Sequence, residues 1–165
     1  MRGLSEQELP APPRVRVSPQ AFPRIDDVCA ELLRLSKAGL PAVIENVDAL
    51  PLEDARRLLH LFLHEPDIVQ PIDPFAALLE AMIRRRKVSL WDLLAPAPPR
   101  AREDAEEFLF ALPRERPACL ECRCFPFCQG YGAWVGACET WRAILSGLSS
   151  AARALSAVRS PSGAV

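Results

Sequence analysis

The chain opens its readable part with Arg14-Val15-Arg16-Val17, which alternates polar and apolar positions as a short strand does. After Pro23 the apolar positions Ile25, Val28, Cys29, Leu32 and Leu35 recur at helical spacing. Asp26 or Asp27 can cap the start of that helix, and Gly39 lies just past its end. Pro41 to Asn46 reads as a short, largely buried strand. A second helix is predicted from about Leu52, with Ala55, Leu58, Leu59 and Phe62 as its apolar stripe and Glu53 and Asp54 in its first turn. Residues 14–65 therefore read strand, helix, strand, helix, the pattern of parallel βα units. Two such units are too few to close a barrel.

A third helix is predicted over 73–87, with Asp73 as cap and Pro74 as the first helical residue. Phe75, Leu78, Leu79, Met82 and Ile83 form its apolar face, and Arg84 to Lys87 its cationic C-terminal end. Ser89 can cap a short turn through Trp91 to Leu94. The stretch 95–100 is rich in proline, cannot continue a helix, and marks a linker. Beyond it, 102–112 predicts a short acidic helix. A last helix is predicted from about 139 to 158, with Trp141, Ile144, Leu145, Leu148, Ala152 and Leu155 on one face. The expected organisation is a tail over 1–13, a βα and helical region over 14–94, the linker 95–100, a cysteine-rich module over 101–158 and a tail over 159–165. The expected fold class is α/β, mostly helical.

Composition narrows the function. The chain has 165 residues, half of them hydrophobic and a quarter charged, which is globular composition. Its 20 basic and 21 acidic residues leave a net charge of -1, which argues against an electrostatic grip on nucleic acid or on an acidic membrane. No apolar run approaches the roughly 18 residues that span a bilayer. The N-terminus lacks the apolar core of a secretory signal, so a cytoplasmic location is expected.

Five of the six cysteines fall between Cys119 and Cys138. A disulfide framework is normally spread through a small secreted chain. Thiols crowded into so short a stretch suggest a metal. Cys119 and Cys122 form a Cys-x2-Cys pair that lets two thiolates converge across a tight turn. Cys128 follows after five intervening residues and Cys138 after nine more. Gly130, Gly132 and Gly136 let the chain close around a compact inorganic body, and glycine amides can point at cluster sulfides. Phe125, Phe127, Tyr131, Trp134 and Trp141 interleave with the thiols and would exclude water. Four sulfur ligands suit either an iron–sulfur cluster or tetrahedral Zn2+. One short pair with two widely spaced single thiols favours the cluster. Cys124 reads either as a spare thiol beside the site or as an alternative ligand.

The run Cys119-x2-Cys122-x5-Cys128 with a distal Cys138, and Phe127-Cys128-Gln129-Gly130-Tyr131 between, resembles the C-terminal SPASM domain of radical S-adenosylmethionine (SAM) peptide and protein maturases. The resemblance implies that Cys119, Cys122, Cys128 and Cys138 ligate an outer auxiliary [4Fe-4S] cluster. A further family cysteine, four residues after the third, belongs to the inner auxiliary cluster. Here that position is Gly132, and the upstream cysteines of the inner cluster are missing too. The resemblance is specific over 115–145. It also suggests that residues 14–94 are a remnant of the family's partial barrel. The Cys-x3-Cys-x2-Cys motif of the catalytic cluster is absent: Cys124 and Cys128 have the first spacing, but Tyr131 stands where the third cysteine belongs. The chain is thus not a complete radical SAM enzyme. The resemblance implies electron transfer or binding of a peptide or protein substrate, with a radical SAM enzyme as a candidate partner. The alternatives are a zinc-stabilised interaction module and a truncated or split fragment of such a maturase.

Other candidates read more plainly. Cys29 falls on the apolar stripe of its helix, as a core cysteine does. His60 and His64 share a helix face, but no Glu follows His60 as a zinc hydrolase motif requires. Asp48, Glu53 and Asp54 read as helix-start acids or as a substrate-binding edge, and Arg84 to Lys87 as a solvated helix end. No phosphate loop, Ser/His/Asp set or nucleic-acid motif is visible.

Overall fold

A computed structural model describes residues 13–94 and 99–159, and the side chains of 13–94 and 103–159. The protein is a mostly helical α/β structure built on a three-stranded parallel sheet. Strands β1 (Val15–Val17), β2 (Ala42–Ile44) and β3 (Ile72–Asp73) lie in that order, with Val15 opposite Ala42, Val17 opposite Ile44 and Ala42 opposite Ile72. Helix α1 (Ile25–Lys37) connects β1 to β2, and α2 (Leu52–His64) connects β2 to β3. The expected βα alternation is therefore present. The third strand was not expected: Ile72-Asp73 is two residues long and leaves no alternation to read.

Helix boundaries follow local chemistry. The N-cap of α1 is Arg24, and no side chain caps it. Asp26 and Asp27, expected as caps, lie instead in the first turn, where the dipole favours acids. At the other end Gly39 has φ +76, and the Leu40 amide donates back to the Leu35 carbonyl at 2.9 Å, a Schellman closure. Helix α3 (Phe75–Ile83) starts behind Asp73, whose Oδ1 accepts from the Ala77 amide at 3.1 Å. Pro74, expected as the first helical residue, is instead its N-cap. The helix stops four residues short of the expected Lys87. Arg85 turns left-handed at φ +52, and the Arg86 amide closes on the Ala81 carbonyl at 2.8 Å. Ser89 caps α4 (Leu90–Leu93) through a reciprocal box with Asp92.

Helix α5 (Pro99–Glu115) is longer than the expected 102–112, because Pro99 suits the first helical position, where its missing N–H costs nothing. Of the expected linker 95–100, residues 95–98 lie outside the described residues and 99–100 are helical. The expected tails fall mostly on 1–12 and 160–165, also outside the described residues. The cysteine segment holds three short helices, α6 (Pro117–Glu121), α7 (Phe125–Cys128) and α8 (Tyr131–Trp134). The long α9 (Cys138–Arg159) ends the described chain.

One hydrophobic core runs through both halves of the sequence. It joins Val17, Leu32, Ile44, Leu58, Phe75 and Leu78 to Tyr131, Trp141, Ile144, Leu145 and Leu148. Helix α9 packs mainly on α2 and α3. At Gly147 the Leu59 side chain of α2 fills the space beside α9, since a Cβ there would meet Leu59 Cδ2 at 2.6 Å. Burying apolar surface at about 25 cal/mol per Å² is the main gain in such packing, so α9 stabilises the βα units as well as the segment before it. No helix among the described residues is long and apolar enough to cross a membrane.

Candidate metal centre

The cysteines of the segment lie in or at the ends of its helices. Cys119 lies within α6 near its last turn, and Cys122 is the C-cap, its amide donating to the Cys119 carbonyl at 3.2 Å. Cys124 is the N-cap of α7 and Cys128 its last residue. The chain then reverses through Gln129 (φ +47) and Gly130 (φ +83) into α8. After Gly136 (φ +72) it enters α9 at Cys138. The helix dipole of α9 favours an anionic thiolate at that position.

These turns bring Cys119, Cys122, Cys124, Cys128 and Cys138 to the walls of one small cavity, with Phe125, Gly130, Ala133 and Arg142 completing it. All four sequence-predicted ligands are among them. Cys124 is buried, Cys119, Cys122 and Cys128 are half-buried, and Cys138 is exposed. No disulfide joins the cysteines. Among the described residues, no three His, Cys, Asp or Glu side chains stand close enough to hold a single metal ion.

The donor set can be tested against each candidate group. A tetrahedral zinc site draws four sulfurs to about 2.3 Å from one point. A cubane gives each thiolate its own iron and spreads the donors round a larger body. Thiols lining one cavity are the donor type that both groups take. A Cβ on Gly132 would meet Cys138 Cα at a tight 3.3 Å and Cys128 Sγ in ordinary contact at 3.5 Å, so the backbone here passes close beside two of the cysteines. The Gly132 amide donates to Cys128 Sγ at 3.3 Å, the kind of bond that favours a thiolate.

Electrostatics ties the thiols together. Burial pushes the Cys128 thiol above its ordinary pKa, opposed by the amides of Gly132 and Gly130, and the thiolates of Cys138 and Cys122 push it further up. Burial also raises Cys138, with Cys119 and Cys122 adding to the rise and Arg116 and Arg142 opposing it. Cys124 differs in its surroundings. Its sulfur reaches the Arg142 carbonyl at 3.9 Å and the Ser146 hydroxyl at 3.8 Å, so it leans on α9 as well as lining the cavity. Burial, the largest cause, raises its pKa too.

The aromatic residues are arranged differently from the expectation. Of the five interleaved rings, Phe125 lines the cavity. Tyr131, Trp134 and Trp141 instead cluster with one another and with Trp91 from α4, and none of them lines the cavity. Trp91 lies 5.2 Å from both Tyr131 and Trp134, and Tyr131 lies 6.2 Å from Trp141. The Trp91 indole donates to the Gln129 carbonyl at 3.0 Å. Phe127 packs against the core.

Asp48 is the residue whose part the sequence did not disclose. It belongs to a 3-10 turn (Val47–Ala49) that follows β2, where Asn46 turns left-handed. Its two carboxylate oxygens accept from Tyr131 Oη at 2.9 Å and from Trp141 Nε1 at 2.6 Å. Read on sequence as a helix-start acid or a substrate-binding edge, it does lie in the first turn of this 3-10 helix, and it also clamps the βα unit to the cysteine segment. The available signal was indirect: buried Tyr and Trp need polar partners. Elsewhere, Cys29 is buried in the core as expected, and the rings of His60 and His64 lie side by side on α2, tilted by 43° with centroids 4.6 Å apart.

Compared with known proteins, the chain matches no family model, no curated protein and no solved structure.

Proposed function

We propose that the protein holds one SPASM-like auxiliary [4Fe-4S] cluster on Cys119, Cys122, Cys128 and Cys138, and serves radical SAM-type modification of a peptide or protein in the reducing cytoplasm. One observation carries the reading: all four cysteines line a single cavity, closely backed by glycine. When bound, the cluster supplies one-electron chemistry. The chain's own residues do the rest. The four thiols bind, the Gly132 amide steadies the Cys128 sulfur, and the Phe125 ring supplies an apolar wall beside them. With every iron taken by a cysteine, no iron is open to substrate, so electron transfer or substrate positioning outranks direct catalysis. Cys124 is the spare thiol, held toward Ser146.

The test is spectroscopic. Protein reconstituted anaerobically with iron and sulfide should be brown, absorb at about 400 nm, and give a paramagnetic signal on one-electron reduction by dithionite. A colourless protein with one tightly bound zinc per chain would replace the cluster by the interaction-module reading.

A further inference from the structure

The cysteine cavity carries a cation that neither the ligand set nor the fold requires. Arg142 lies one helical turn beyond Cys138 on α9 and lines the cavity with the five thiols. Seven other arginines pair with carboxylates: Arg14 with Asp73, Arg16 with Glu45, Arg24 with Asp27, Arg34 with Glu31, Arg56 with Glu53, Arg57 with Asp26, and Arg84 with Glu80. Arg142 pairs with no carboxylate among the described residues. Arg142 is an exposed residue, and its charge stands at the wall of the cavity that Cys138 and Cys124 share. Arg116, the N-cap of α6, lines an adjoining hollow with Cys138 and likewise has no carboxylate partner among the described residues.

Four thiolates on one cluster concentrate negative charge, and each added electron makes the site more negative. A cation at the cavity wall lowers the energy of the more negative state, because Coulomb attraction scales with the charge it meets. Cys138 is the exposed thiol, so this is also the side at which solvent and salt reach the site. We propose that Arg142 tunes this centre, its guanidinium raising the reduction potential and helping to retain the loaded cluster. The inference rests on the cluster reading above. Uptake of one electron from a low-potential reductant makes and breaks no bond, so the role is electrostatic and needs no proton.

The experiment is a mediated redox titration of the reconstituted full chain, wild type against Arg142→Gln and Arg142→Lys, at low and high salt, with iron measured in every sample. Arg142→Gln should fall in midpoint potential by about a tenfold change in the reduction equilibrium, or 59 mV for one electron. Arg142→Lys should stay near wild type, and high salt should narrow the gap between Gln and wild type. If Arg142→Gln fails to keep iron, retention of iron and potential by Arg142→Lys supports the charge role, and loss in both variants overturns it. An Arg142→Gln midpoint equal to wild type at low salt, with equal iron, overturns the proposal and leaves the cluster intact. A wild type that takes up no iron overturns the cluster reading first and this one with it.

Discussion

Trp141 donates its indole N–H to Asp48 at 2.6 Å, across 93 residues of sequence. The same carboxylate accepts from Tyr131, 83 residues away. Two aromatic residues of the cysteine segment and its following helix are thus fixed by one acid on the turn after β2.

Removing that acid should cost stability. Trp141 is fully buried, so Asp48→Ala leaves an indole N–H without a partner in the core. The expected loss is about 1–3 kcal/mol, with Asp48→Asn losing less because its amide oxygen still accepts. Urea denaturation of the three proteins checks this. A wild-type midpoint in Asp48→Ala would show that the clamp contributes nothing.

Tyr131 makes the clamp sensitive to alkali. Burial, first, and then Asp48 push its hydroxyl well above the ordinary tyrosine value of 10.0. The folded chain therefore keeps this proton to higher pH than the unfolded chain does. Above about pH 10 the unfolded state binds fewer protons, so stability falls as pH rises, and the contribution is fully present below that point. Thermal melts at successive pH values should show a steeper alkaline loss in wild type than in Tyr131→Phe. Parallel curves would contradict the assignment.

Two glycines separate space from backbone strain. Gly132→Ala puts a methyl group 3.3 Å from Cys138 Cα and 3.5 Å from Cys128 Sγ, and backbone cannot move aside cheaply. Its iron content after reconstitution should drop well below wild type. Gly136→Ala meets nothing within 4 Å but must hold φ +72. That should cost about 1 kcal/mol in stability and leave iron content unchanged. Equal iron in the two variants would mean that Gly132 does not crowd the site.

The βα units were readable because their helices repeat apolar residues over 13 positions each, long enough for period to override local noise. Gly39 and Ser89 marked their turns because each has a specific chemical reason to be there. Arg85 shows the opposite case. A left-handed arginine ends α3 where no sequence rule places a stop, and the apolar face at Met82 and Ile83 gives no warning. In the cysteine segment the candidate ligands were legible from spacing, since spacing is what lets thiols converge. The short helices that carry them were not, because four or five residues show no period. Asp48 and Arg142 were missed for a related reason: their partners are set by packing between elements distant in sequence or by a turn of α9.

The central claim is tested most directly by counting iron and acid-labile sulfide per chain after anaerobic reconstitution, in wild type, Cys122→Ala and Cys124→Ala. The account predicts about four of each in wild type and in Cys124→Ala, and a marked loss in Cys122→Ala. Wild-type iron in Cys122→Ala, or none in any of the three proteins, would contradict it.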